Sequence, residues 1–176
     1  MSKSDMTRNR IEPAPPSHSE EARAVETRVL ETRGEITKLY RILLNSPLIC
    51  AGWEQLLTAI RQKTSLSPRL RELIILRIAV LNNADYEYHA HVPHALKAGL
   101  NAAEIESVKQ DTAPAFSDLD RLVISYTDAM TRDIDVPDSV FEPIRRAFDA
   151  TGLVELTATI AAYNMVSRFL VALHVH

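Results

Sequence analysis

Residues 68–100 read PRLRELIILRIAVLNNADYEYHAHVPHALKAGL. Ser67 followed by Pro68 sets a cap residue ahead of a proline at the first helical position, where a missing N–H is no loss. From Leu70 to Leu81 nearly every residue is apolar, so the helix predicted over 68–81 has no solvated face and must be buried. Glu72 lies inside that run. A carboxylate there loses its hydration and has to be paired, hydrogen-bonded or neutral. Asn83 or Asp85 can start the next helix, which ends at Gly99. Within it Glu87 and His91 are one turn apart and His94 follows a turn later, so the three can face the same way.

The same reading extends in both directions. Ser46-Pro47 opens a helix to about Gln62, and weaker amphipathic segments cover roughly 20–33 and 35–45. Asn101 with Glu104, and Ser117 with Asp120, have capping-box spacing. Asp135 with Pro137 opens a helix to about Ala150, Thr151-Gly152 is expected to break it, and LVELTATIAAYNMVSRFLVALHV forms the last. Four glycines, no Asn-Gly or Asp-Gly turn and no sustained alternation of period two leave little signal for strands. The fold class expected is all-α, about eight helices. A faint echo relates RELIILRIAVLN (71–82) to VELTATIAAYN (154–164), too short to argue a duplication.

Composition narrows the function. A chain of 176 residues, 46% hydrophobic and 24% charged, suits a single domain, expected over 20–176 behind a flexible, proline-containing tail at 1–19. A formal net charge of −3 with no dense Lys/Arg block gives no footprint for nucleic acid. No run of about 18 uncharged apolar residues suggests a membrane span, and the first residues lack the apolar core of a signal peptide, so a cytoplasmic protein is expected. The single cysteine, Cys50, excludes an internal disulfide, a CxxC redox pair and a cysteine-rich zinc site.

Each candidate residue has a plain reading beside a chemical one. Glu72 is either a structural ion-pair partner of Arg69, Arg71, Arg77 or Arg168, or a functional carboxylate in a dehydrated site. Glu87 and His91 are either a surface pair or an imidazole whose tautomer and basicity a carboxylate sets. His89 lies about 200° from both and faces elsewhere. Glu87, His91, His94 and Glu72 could be imagined around a metal, but the spacing fits neither a zincin nor a di-iron motif, and no metal or cofactor is expected. In the last helix Tyr163, Asn164 and Arg168 interrupt an apolar surface. Arg168 is expected to pair with a buried carboxylate or to anchor one from a substrate.

RELIILR (71–77), Tyr86-Glu87, His91, the ALKAGL turn ending in Gly99-Leu100 before Ala-Ala-Glu-Ile, and YNMVSRFL in the last helix resemble the carboxymuconolactone decarboxylase and alkylhydroperoxidase D superfamily. The resemblance covers roughly 40–110 and implies an alkylhydroperoxidase D-like helical bundle that assembles as a trimer or hexamer. The peroxidase branch has a CxxC pair, beginning twelve residues after a glutamate, and a histidine four residues after the second cysteine. Counted from Glu72, Ala84 and Glu87 stand at the cysteine positions and His91 at the histidine, so the thiol mechanism lacks both sulfurs. The decarboxylase branch has glutamates at the positions of Glu72 and Glu87 and a histidine at that of His91. It implies a cofactor-free lyase, a decarboxylase of small carboxylated lactones or ring acids. In that reading Arg71 or Arg168 holds the substrate carboxylate or enolate, His91 oriented by Glu87 delivers a proton, Glu72 sets the polarity, and Tyr86, His94 and Tyr163 complete the binding set. The alternative is a non-catalytic or regulatory oligomer on the same scaffold; third is an alkylhydroperoxidase-like oxidoreductase without the thiols.

Overall fold

Proline-opened and side-chain-capped starts set most of the helices. A computed structural model of the chain describes residues 9–110 and 116–176. Among the described residues there are nine helices and no strand: α1 (Glu20–Arg33), α2 (Lys38–Leu43), α3 (Pro47–Gln62), α4 (Pro68–Leu81), α5 (Asp85–Lys97), α6 (Ala102–Ser107), α7 (Asp118–Arg132), α8 (Asp138–Ala147) and α9 (Ala150–Leu173). The all-α expectation holds, with one helix more than the approximate count. The described residues divide into two compact units, one of residues up to 63 with 172–176 and one between residues 64 and 171.

In the first unit α1 and α2 pack on α3. The Thr58 hydroxyl donates to Glu54 Oε1 at 2.7 Å, and the Thr32 hydroxyl, shared with the Arg28 carbonyl at 2.8 Å, reaches the same oxygen at 3.0 Å, so this buried carboxylate meets partners from α1 and from its own helix. Of the expected tail, residues 1–8 lie outside the described residues, whereas 9–19 are pinned. The Ala14 N–H donates to the Arg41 carbonyl at 2.9 Å, and Glu26 accepts the Ser17 N–H at 3.1 Å and Arg41 Nη1 at 2.5 Å. Backbone and carboxylate partners thus hold a stretch that composition alone marks as loose.

In the second unit α4 is central, packed against α5 and α7, with α8 against α7 and α6 against α5. Arginines of α4 tie these helices together. Both expected capping boxes form, and Arg69 links them: Nη2 donates to Glu104 Oε1 at 2.5 Å and Nη1 to Asp120 Oδ1 at 2.7 Å. Each acid therefore caps its own helix with one oxygen and holds α4 with the other. Arg77, 1% exposed, forks onto Asp128 of α7 at 2.7 and 2.5 Å, while its Nη1 donates to the carbonyls of Val108 and Gln110 at 2.7 and 3.1 Å. The two segments of the sequence echo meet at their ends, where Asn82 Nδ2 donates to Asn164 Oδ1 at 3.0 Å.

One sequence expectation changes at α9. Thr151-Gly152 does not break the chain: α8 stops at Ala147, and Asp149 caps the new helix by accepting the Gly152 N–H at 2.7 Å. A Cβ at Gly152 would meet Asp149 Oδ1 and Phe148 Cδ1 at 3.2 Å, so a side chain there would push the capping carboxylate or the ring aside by a few tenths of an ångström. Helix α9, though interrupted by Glu155 and Arg168, is by length and composition long and apolar enough to cross a membrane, with mean hydropathy 1.4 and half of that window buried inside the protein. Its buried side carries Thr159, Asn164 and Ser167, each hydrogen-bonded, which is the pattern of a core helix.

Candidate functional site

Glu72 sits one turn into α4, in a stretch buried without interruption from Glu72 to Ala79. On α5 the buried residues are Glu87, His91 and Ala95, spaced by four, so one line of that helix faces inward. The two lines meet: His91 Nδ1 lies 2.7 Å from Glu72 Oε2, with Glu72 3% and His91 7% exposed. A carboxylate at Nδ1 fixes the ring's orientation and favours a proton on that nitrogen, which makes Nε2 the exchangeable position. On the other side of Glu72, Arg71 Nε stands 3.9 Å from Oε1, and that nitrogen makes no hydrogen bond. Two other cations offered as partners for Glu72 are engaged elsewhere, Arg69 by Glu104 and Asp120 and Arg77 by Asp128.

Glu87 does not orient His91 as its helical spacing suggested. An i, i+4 pair on a helix is worth only a few tenths of a kcal/mol, so it separates when other helices offer buried partners. Glu72 of α4 takes the imidazole, and Glu87, 2% exposed, hydrogen-bonds the Ser167 hydroxyl of α9 through Oε2. Its Oε1 is buried with no hydrogen bond. Burial pushes this carboxyl up to about 8, only partly opposed by Ser167. Glu87 is thus an acid that is mostly protonated at neutral pH. Tyr163, one turn before Ser167, sets its ring edge-on to His91 with centroids 5.5 Å apart. Helix α9 therefore presents an aromatic wall and a hydroxyl to the two acid–base residues of α5.

The other expected residues are less central. Tyr86 is half-buried in the first turn of α5. His94 is exposed, its ring centroid 5.6 Å from that of His91. Arg168 is exposed and makes no ion pair among the described residues, so the expected pairing with a buried carboxylate does not occur. The reason is register: it lies about 100° around α9 from Ser167, and Ser167 holds the inward position. Among the described residues no three His, Cys, Asp or Glu side chains are grouped as a metal site requires. Ser167 was missed by sequence reasoning. Its one available signal is a small polar residue four after Tyr163 on a helix otherwise apolar on that line.

Residues 47–123 match the model of the Carboxymuconolactone decarboxylase family. No curated protein matches significantly. Among solved structures, a protein of unknown function from Agrobacterium tumefaciens that carries the AhpD antioxidant-defence designation superposes with TM-score 0.71 at 24% identity, over 75% of this chain and 92% of that one. An uncharacterised peroxidase-related protein from Silicibacter sp. TM1040 gives TM-score 0.76 at 15% identity, over 93% and 86%. A cysteine-to-alanine variant of the debrominase Bmp8, in complex with 2,3,4-tribromopyrrole, gives 0.76 at 15%, over 92% and 87%. At such identities the likeness concerns the fold. The chain carries the carboxymuconolactone decarboxylase family match over residues 47–123 and is built on the all-helical AhpD-like fold.

Proposed function

We propose that the chain is a cofactor-free carbon–carbon lyase that decarboxylates a small carboxylated lactone or ring acid. The observation that carries this reading is the buried contact of His91 Nδ1 with Glu72 at 2.7 Å, walled by Tyr163. When carbon dioxide leaves, the electron pair of the broken bond moves into a conjugated carbonyl, and the enolate is quenched by a proton at carbon. The site needs a positive charge near the oxygen and an acid near the carbon. Arg71, with an uncommitted Nε, supplies the first. The His91 imidazolium, stabilised by Glu72, supplies the second from Nε2 and is recharged from water. Glu87, protonated at neutral pH, adds no second negative charge to repel an anionic substrate. The exposed Arg168 leaves the substrate-holding role to Arg71.

A thiol-based redox reaction, which the peroxidase-related and debrominase neighbours bring to mind, finds less support. Cys50 is buried in α3, and burial pushes its thiol up to about 11, so roughly one molecule in 10⁴ carries a thiolate at neutral pH. Screening small carboxylated lactones and unsaturated ring acids for carbon dioxide release tests the proposal. Release that depends on His91 and survives Cys50→Ser is the expected result. Hydroperoxide reduction with a dithiol that Cys50→Ser abolishes would reverse it.

A further inference from the structure

A serine hydroxyl carries one hydrogen, and Ser167 has two oxygens within reach of it. Its Oγ lies 2.9 Å from the Tyr163 carbonyl and in hydrogen-bond contact with Glu87 Oε2. A backbone carbonyl only accepts. If Glu87 were ionised it too could only accept, and the single hydrogen would be shared between the two close contacts or leave one of them as oxygen facing oxygen. Each contact has a hydrogen of its own when the carboxyl donates to Ser167 Oγ and the hydroxyl donates onward to the Tyr163 carbonyl.

We propose that Ser167 is a positioning residue for the buried, neutral Glu87 carboxyl: its hydroxyl oxygen accepts the acid's hydrogen bond from Oε2, which fixes the proton there and leaves Oε1 a bare acceptor. Placing the proton on Oε1 instead would bury a donor with no acceptor, a rarer vacancy in proteins than an unmet carbonyl-type oxygen. The surroundings agree. On α5 the nearest titratable residue along the inward line is His91, already engaged by Glu72 of α4; α9 offers Tyr163 and Ser167, and its Arg168 is exposed. Among the described residues no cation compensates a charge on Glu87, which fits the upward push that burial gives it. When the proton does leave, the Ser167 hydroxyl can turn from the Tyr163 carbonyl to Oε2, so the carboxyl keeps a partner in either state. This residue role deepens the acid–base reading above, but the proton's position belongs to the protein without substrate.

Infrared difference spectra of the whole protein against Glu87→Gln test it with no substrate present. At pH 6 the wild type should show the carbonyl stretch of one buried carboxylic acid that the variant lacks, and the band should fade as pH rises through about 8. In Ser167→Ala the band should move to higher frequency and persist to higher pH, and Ser167→Thr, which keeps a hydroxyl, should return it toward the wild-type position. Absence of the band at pH 6 overturns the proposal, as does a band that Ser167→Ala leaves unmoved. A Ser167 that only fills space would not move it. Because no turnover is measured, failure here leaves the decarboxylase reading standing, and failure to find carbon dioxide release leaves this one standing.

Discussion

At the scale of single residues, the site consists of one acid–base pair and one neutral acid, and the three side chains should respond differently to substitution. With a substrate in hand, His91→Ala should lower kcat about 10²-fold or more, the range for losing a positioned proton donor, with the fold retained. Glu72→Gln removes the charge that stabilises the imidazolium. His91 can shed its proton, and Arg71 loses only a loose 3.9 Å contact, so stability should fall by only about 1–3 kcal/mol while the rate falls with that of His91→Ala. Wild-type kinetics in either variant would remove the pair from the mechanism. Glu87 predicts a pH dependence of stability. Its folded pKa is raised from 4.5 to about 8, so in that window the folded chain holds a proton that the unfolded chain has released. Its contribution is fully present below pH 4.5 and is lost as pH rises through about 8, at up to about 1.4 kcal/mol per pH unit. Urea unfolding at intervals from pH 5 to 8 should show this slope in the wild type relative to Glu87→Gln; parallel profiles for the two proteins would contradict it.

At the scale of helices, α4 is held by ion pairs that the sequence offered as partners for Glu72 and that the fold uses otherwise. Arg77 is buried, and its guanidinium is shared between Asp128 of α7 and the carbonyls that follow α6. Removing Asp128 takes from that buried cation the carboxylate onto which its Nε and Nη2 fork. Asp128→Ala should therefore cost about 3–5 kcal/mol in a denaturant titration, against less than about 1 kcal/mol for Asp118→Ala, whose side chain pairs with Arg121 in solvent. Equal losses in the two variants would show that the buried guanidinium does not depend on Asp128. The capping boxes at Asn101–Glu104 and Ser117–Asp120 were legible because their chemistry is local. That Arg69 joins both to α4 was not, because the contact spans 35 and 51 residues.

At the scale of the whole molecule, α3 leaves Leu48, Ile49 and Leu56 exposed along one side, an apolar stripe that solvent does not favour. We propose that the chain self-associates, and that Leu48→Glu with Leu56→Glu shifts it toward monomer; sedimentation showing a monomeric wild type at micromolar concentration would contradict this. The helical class, the proline-opened starts of α3 and α4, the capping boxes and the acidic and histidine positions at 72, 87 and 91 were set by the sequence itself, since period, caps and burial of an all-apolar helix are local properties. The 9–19 segment escaped because carboxylates and carbonyls from elsewhere in the chain override weak local signals, and the start of α9 because the local Asp149 cap turns a glycine that reads as a breaker into a helix opener. Which carboxylate serves His91 was decided only by tertiary structure. Spacing can place Glu87 and His91 on one line, but it cannot show that α4 brings Glu72 to the imidazole while α9 brings Ser167 to Glu87, and these partners determine which group carries charge and which carries a proton.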